Sequence, residues 1–108
     1  MRAYIIEDQQ GWDALRLVER PEPTPAIGQV IVRVRAVSLN YRDLIIARGM
    51  YSGGTKPFGR IPVSAGAGEV VRVGPGVERV KVGDRVAAAF MPGWIDGPLT
   101  AEKQMSSL

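Results

Sequence analysis

Glycine and proline divide this 108-residue chain into short segments. The chain holds 13 Gly and 8 Pro, and both residues interrupt regular secondary structure, because glycine is conformationally permissive and proline lacks a backbone N–H. Chains interrupted in this way are typically built of short strands and turns. The sequence therefore predicts a mainly β fold, and its length suits one domain with a single core.

Strands are predicted where apolar residues run between these interruptions. The segments Arg2–Ile6 and Leu15–Glu19 flank a polar turn, and we expect them to pair as a hairpin. From Val30 to Val37 the side chains alternate, which is typical of a half-buried strand. Further strands are predicted at residues 69–73, 77–80 and 85–90, and their close spacing favours a tight antiparallel meander or a barrel corner.

One short helix is predicted between these strands, within residues 38–49. Asn40 is a favourable N-cap, Asp43 places an acid in the first turn, and Gly49 suits the position after the helix. Residues 50–60 are rich in Gly and are predicted to form a loop. The residues after Met91 are interrupted by Gly and Pro and complete no pattern.

Composition excludes several kinds of site. The chain contains no Cys and no His, so it can form no disulfide, no Cys/His zinc site and no Ser–His or Cys–His nucleophile. The net charge is only +3, and the basic residues form no run, which argues against nucleic-acid binding. No signal sequence and no apolar stretch of membrane-spanning length is present, so we expect a cytoplasmic protein without membrane contact.

Two glycine runs invite comparison with dinucleotide-binding loops. In a GxGxxG pattern that starts at Gly66, Val71 stands at the third glycine position, and in one that starts at Gly74 the residue there is Arg79. Neither run opens a helix after a first strand. These glycines, with Gly83 and its neighbour Asp84, are therefore interpreted as structural residues of turns and close backbone contacts.

The segment IPVSAGAGEVVRVGPGVERVKVGDRVAAAF, residues 61–90, resembles the barrel signature of the medium-chain dehydrogenase/reductase superfamily. The opening MRAYII, the connector ERPEPTP and the strand GQVIVRVRAVSLNYRDL follow in the order usual for that family. The resemblance implies a GroES-like, partly open β-barrel that is incomplete at its C-terminus. It also implies that residues 1–108 are a truncated portion of a longer two-domain enzyme, whose Rossmann domain is absent from this chain.

The resemblance locates the positions where zinc-dependent members hold their catalytic metal. Asn40 stands at the position of the Cys ligand, Ser64 at that of the His and Ala65 at that of the acidic residue. None of these residues supplies a thiolate or an imidazole. The chain is therefore similar to the zinc-independent branch, which includes quinone oxidoreductases and enoyl reductases, and no metal site is expected.

Candidate site residues follow from the same comparison. Asn40, Tyr41, Asp43, Tyr51 and Ser64 are predicted on the catalytic, substrate-facing side, and Asn40 and Arg42 are predicted to contact the cofactor. Each has an alternative structural role: Asn40 as a helix cap, Asp43 as a first-turn acid, Tyr41 and Tyr51 as packing aromatics, Ser64 as a turn hydroxyl and Arg42 as a solvated residue.

Two hypotheses for function follow from the resemblance. In the first, the chain is the substrate-side portion of an NAD(P)-dependent oxidoreductase that reduces quinones, enones or related carbonyls. The cofactor, NADP or NAD, then binds only to the full-length enzyme, and this chain alone is inactive. In the second, the chain is a non-enzymatic GroES-like binding or assembly module. The expected partners are a small carbonyl or quinone substrate, a Rossmann domain, or further copies of the chain.

Overall fold

The computed structural model describes residues 1–7, 13, 15–50 and 59–105, so most of the predicted 7–13 turn and of the 50–60 loop lies outside the described residues. The part described forms a mainly β structure with two short helices. Its elements in order are β1 (Arg2–Ile6), β2 (Leu15–Glu19), β3 (Val30–Ser38), α1 (Tyr41–Ala47), β4 (Ala65–Val73), β5 (Arg85–Ala87) and α2 (Ala101–Met105). The chain divides into two compact units, Met1–Thr24 with Ser38–Val63, and Pro25–Val37 with Ser64–Leu108.

The first unit contains the predicted hairpin. Strands β1 and β2 pair antiparallel in a register that places Tyr4 opposite Leu17 and Ile6 opposite Leu15. At the far end of β1, the Ile6 N–H donates to the Arg60 carbonyl at 3.0 Å, and the Gly59 N–H donates to the Ile6 carbonyl at 2.8 Å. These bonds hold the residues that follow the 51–58 segment beside the hairpin.

Helix α1 also belongs to the first unit and confirms the helix predicted around Asn40. Asn40 is its N-cap and Asp43 lies in its first turn. The Gly49 N–H donates to the Ile46 carbonyl at 2.9 Å, and Gly49 has a φ of 67°, which glycine adopts without strain at a helix C-terminus. Ala47 packs in the core of the unit, which also contains the fully buried Ile6.

The second unit is built on a three-stranded sheet with the order β3-β4-β5. Strands β4 and β5 are antiparallel, with Ala67 opposite Ala87 and Glu69 opposite Arg85. Val70 of β4 is fully buried, as expected for an apolar residue on the central strand.

The prediction of a strand at residues 77–80 is wrong, because these residues form no strand. The strand predicted at residues 85–90 ends at Ala87. The topology gives the reason, because β4 is already paired with β3 on one edge and with β5 on the other. Val70 donates to the Asp84 carbonyl and accepts from the Gly83 N–H, both at 2.9 Å. The strand that pairs with β4 on this edge is therefore β5, and not residues 77–80.

Two further features differ from the prediction. Strand β3 was expected to be half-buried with alternating faces, but its residues from Arg33 onward are all exposed, including Val34 and Val37. The helix α2 was not predicted, because its polar sequence shows no apolar periodicity. It begins after Thr100, whose Oγ1 accepts a hydrogen bond from the Lys103 N–H at 3.3 Å.

Candidate substrate-side site

The candidate site in the first unit is the turn that leads from β3 into α1. Asn40 has φ −126° and ψ 156°, an extended conformation, and Tyr41 is the first helical residue. Asn40 and Asp43 form a capping box. Asp43 Oδ2 accepts a hydrogen bond from the Asn40 backbone N–H at 2.8 Å, and the Asp43 N–H donates to the Asn40 carbonyl at 2.9 Å. These two bonds fix the backbone of Asn40.

Asp43 is inaccessible from solvent. Its exposed fraction is 2%, which makes it the buried charged residue of the described part of the chain. Its Oδ1 atom is also buried and has no hydrogen-bond partner among the described residues. The catalytic, substrate-facing role of Asp43 stays a prediction.

Asn40 and its two neighbours in sequence are exposed. Tyr41 is 75% exposed and Leu39 is 74% exposed, while Asn40 between them also lies at the surface. The Asn40 carboxamide nitrogen donates to the Ser38 carbonyl at 3.0 Å. A carboxamide nitrogen carries two hydrogens, so this bond uses one of them.

The other predicted site residues have different surroundings. Arg42 follows Tyr41 in α1 and is half-buried. Ser64 lies in the second unit, is half-buried, and precedes the first residue of β4. Tyr51 lies outside the described residues. The structure therefore brings Asn40, Tyr41, Arg42 and Asp43 together in one turn of the first unit.

The sequence did not reveal two features close to these residues. Leu39 is a large apolar side chain that the structure exposes beside Asn40. Val63, the residue before Ser64, has a φ of 71°, which is a genuine outlier for a β-branched side chain. No property of the sequence indicates this conformation, because valine favours extended backbone.

The residues that the resemblance places at the family's metal-ligand positions do not match the usual zinc ligands. Structural and catalytic zinc sites are built from Cys, His and carboxylate ligands, whereas Asn40, Ser64 and Ala65 supply none of these groups. Within residues 1–7, 13, 15–50 and 59–105, no cluster of three or more Asp or Glu residues could hold a metal ion. The lack of a zinc requirement nevertheless stays a prediction.

Comparison with known proteins identifies the family to which this chain belongs. The architecture of short antiparallel strands with few short helices is that of a mainly β domain, and the sequence profile for the alcohol dehydrogenase GroES-like domain matches residues 26–106. The chain belongs to this family of the medium-chain dehydrogenase/reductase superfamily.

Individual relatives agree with this assignment. A zinc-type alcohol dehydrogenase-like protein of Schizosaccharomyces pombe is 38% identical over 90% of this chain and 28% of its own length. A chloroplastic quinone-oxidoreductase of Triphysaria versicolor is 38% identical over 99% of this chain and 32% of its own length. The structure of Escherichia coli quinone oxidoreductase complexed with NADPH matches 81% of this chain and 26% of its own, with 30% identity and a TM-score of 0.70.

This chain spans less than a third of the length of each of these proteins. In the described part of the chain, neither helix has the length and apolar character that a membrane-crossing segment requires.

Proposed function

We propose that this chain is the substrate-side domain portion of a longer, zinc-independent NAD(P)-dependent oxidoreductase that reduces quinones, enones or related carbonyls. The observation that carries the proposal is the exposed Asn40 carboxamide at the start of α1, at the position where the family resemblance expects a cysteine in zinc-dependent members. The similarity to a quinone-oxidoreductase and to a quinone oxidoreductase that binds NADPH supports this choice of substrate and cofactor.

The chemistry of such a substrate needs no metal ion. A bound reduced nicotinamide supplies the hydride. When an enone accepts the hydride at its β carbon, negative charge develops on the carbonyl oxygen, and a proton from water completes the product. The task left to the protein is to orient the substrate and to stabilise that oxygen with hydrogen-bond donors.

Asn40 is suited to this task. Its carboxamide nitrogen has one hydrogen directed to the Ser38 carbonyl, and the second is available for a substrate oxygen. The bonds to Asp43 hold the Asn40 backbone, and the bond to the Ser38 carbonyl holds its carboxamide, so little ordering is needed on binding. The neighbouring Tyr41 hydroxyl offers a second donor, and the exposed Leu39 offers an apolar contact for a conjugated ring.

The remaining site assignments belong to the same proposal. Ser64 and Tyr51 are proposed as further polar groups on the substrate side, and Arg42 as a contact for the cofactor. The cofactor itself is proposed to bind mainly to a Rossmann domain that follows in the longer protein. Residues 1–108 alone are therefore expected to lack reductase activity.

The proposal is tested by assaying NADPH oxidation with a quinone or an enone for the 108-residue chain and for the longer protein. We expect the longer protein to be active, to keep its activity after treatment with a zinc chelator, and to contain no stoichiometric zinc. We expect the 108-residue chain alone to be inactive. Loss of activity with the chelator would overturn zinc independence, and activity of the short chain would overturn the need for a second domain.

A second candidate function is that of an assembly module. It is favoured by β3, which lies at the edge of its sheet and exposes Val34 and Val37, because open edges with apolar side chains can pair with another chain. Size-exclusion chromatography with light scattering separates the candidates. A discrete ring-sized oligomer supports assembly, whereas a monomer or a dimer counts against a ring.

A further inference from the structure

We propose that Asp43 is a positioning residue for Asn40, and that it acts as a hydrogen-bond acceptor whose negative charge is not needed. This inference rests on the function proposed above. It replaces the catalytic role predicted for Asp43 from the sequence with an indirect one, through the backbone of the residue that touches the substrate.

The burial of Asp43 is the first step. With an exposed fraction of 2%, its carboxylate cannot reach a substrate that binds at the exposed Asn40 and Tyr41. Its contact with the site is the 2.8 Å hydrogen bond from the Asn40 N–H to Oδ2. Any effect of Asp43 on the reaction must therefore pass through the conformation of Asn40.

The two carboxylate oxygens of Asp43 have different surroundings, and this difference indicates that the negative charge of the carboxylate is not needed. Oδ2 accepts the capping bond, whereas Oδ1 is buried with no hydrogen-bond partner in the described part of the chain. A buried carboxylate oxygen without a donor costs stability. An asparagine at this position keeps a carbonyl oxygen as the acceptor for the Asn40 N–H. Its amide nitrogen takes the place of Oδ1, so no hydrogen bond is lost.

The second unit contains a turn with the same local hydrogen bonds, which provides a matched control. Asp84 Oδ2 accepts from the Lys81 N–H at 3.0 Å, and the Asp84 N–H donates to the Lys81 carbonyl at 3.1 Å. The spacing of three residues and the pair of bonds repeat those of Asn40 and Asp43. Asp84 lies outside the proposed site. Replacing it therefore tests the loss of the same hydrogen bonds in a turn that does not contact the substrate.

The experiment compares Asp43→Ala, Asp43→Asn and Asp84→Ala in the longer reductase. The kcat and KM for a quinone are measured, together with hydrogen exchange in the peptides that contain Asn40 and Lys81. In Asp43→Ala we expect faster exchange around Asn40 and a kcat lower by about 100-fold, because a displaced contact group loses its alignment with the substrate. The KM is expected to change much less, because the apolar contacts of the substrate remain.

The two other variants are expected to keep a kcat within about two-fold of the wild-type value. Asp43→Asn keeps slow exchange around Asn40, whereas Asp84→Ala shows faster exchange around Lys81 only. Because Asp43→Asn preserves the shape of the side chain, it remains informative if Asp43→Ala fails to fold.

Three results would overturn the proposal, and each has a different meaning. If Asp43→Ala reduces kcat no more than Asp84→Ala does, Asp43 has only a structural role. If Asp43→Asn is inactive, the charge is required. If the wild-type longer protein shows no reductase activity, the proposed function itself is wrong. Slow exchange at Asn40 would then show that the hydrogen bond from the Asn40 N–H to Asp43 has only a structural role.

Discussion

Gly68 of β4 lies so close to the backbone of Arg33 in β3 that a side chain at this position would overlap with the Arg33 carbonyl group. A Cβ atom built on Gly68 would lie 2.8 Å from the Arg33 carbonyl carbon and 2.9 Å from Val32 Cγ1. Real Cβ atoms essentially never show such separations from backbone, so the sheet of the second unit requires glycine here.

We therefore expect Gly68→Ala to be strongly destabilising. The free energy of unfolding should fall by about 3 kcal/mol, since the overlap is with backbone that cannot move away. Urea unfolding followed by circular dichroism measures this change. Gly66→Ala on the same strand is the control, because a Cβ there would be 3.8 Å from the nearest heavy atom, the Ala36 carbonyl oxygen. Equal losses for both variants would contradict the close approach of the strands.

The same pair of glycines shows what the sequence could predict and what it could not. Both belong to the glycine run that carried the family resemblance, and the run correctly indicated structural glycines in a mainly β fold. Which of them is required depends on the distance between β3 and β4, two strands that lie far apart in sequence. Local propensities contain no information about that distance.

The predicted strands show a similar limit. The hairpin of β1 and β2 and residues 69–73 of β4 were predicted because short apolar runs bounded by turn residues are local signals, whereas the start of β4 at Ala65 was not predicted. The segment at residues 77–80 has similar local signals, but it forms no strand, and the strand that pairs with β4 is β5 instead. Helix α1 was predicted because Asn40 and Asp43 are capping residues at a spacing of three, whereas the burial of Asp43 depends on tertiary packing.

Val63 provides a second test of the backbone geometry. Its φ of 71° is unfavourable for a β-branched residue, and such strain costs about 1–3 kcal/mol. Glycine adopts this conformation freely, so we expect Val63→Gly to leave the free energy of unfolding unchanged or to raise it.

The control for this prediction is Val73→Gly at the end of β4. Val73 has no positive φ, so glycine there relieves no strain and should lower the free energy of unfolding by about 1 kcal/mol. Thermal or urea unfolding of both variants gives the comparison. If Val63→Gly is destabilised as much as Val73→Gly, the strain at Val63 does not exist in solution.

The pair formed by Lys81 and Asp84 predicts a dependence of stability on pH. The Lys81 side chain and backbone N–H, which both donate hydrogen bonds to the carboxylate, hold the pKa of Asp84 below its ordinary value of 3.8. A carboxyl group whose folded pKa is depressed stabilises the protein above its unfolded pKa, and this contribution is lost as the pH falls through the folded pKa. The effect is small, because Lys81 is exposed and Asp84 is only half-buried.

Removing the carboxylate should therefore reduce the acid sensitivity of the fold. In Asp84→Asn, the free energy of unfolding should decrease less steeply than in the wild type as the pH is lowered from about 5 to about 2. Urea unfolding across this range measures the slope. A variant that loses stability as steeply as the wild type over the acidic range would show that the hydrogen bonds do not shift the pKa of Asp84 in solution.

The proposed role of Asn40 is tested most directly by the kcat/KM for NADPH-dependent quinone reduction in the longer protein carrying Asn40→Ala. The comparison variant is Gln104→Ala, which removes an exposed carboxamide from α2 in the second unit. We predict that Asn40→Ala lowers kcat/KM by about 100-fold, as expected when a donor to a developing oxyanion is removed, and that Gln104→Ala leaves it unchanged. A value of kcat/KM in Asn40→Ala equal to that of the wild type would contradict the proposed role of Asn40 as a hydrogen-bond donor to the substrate.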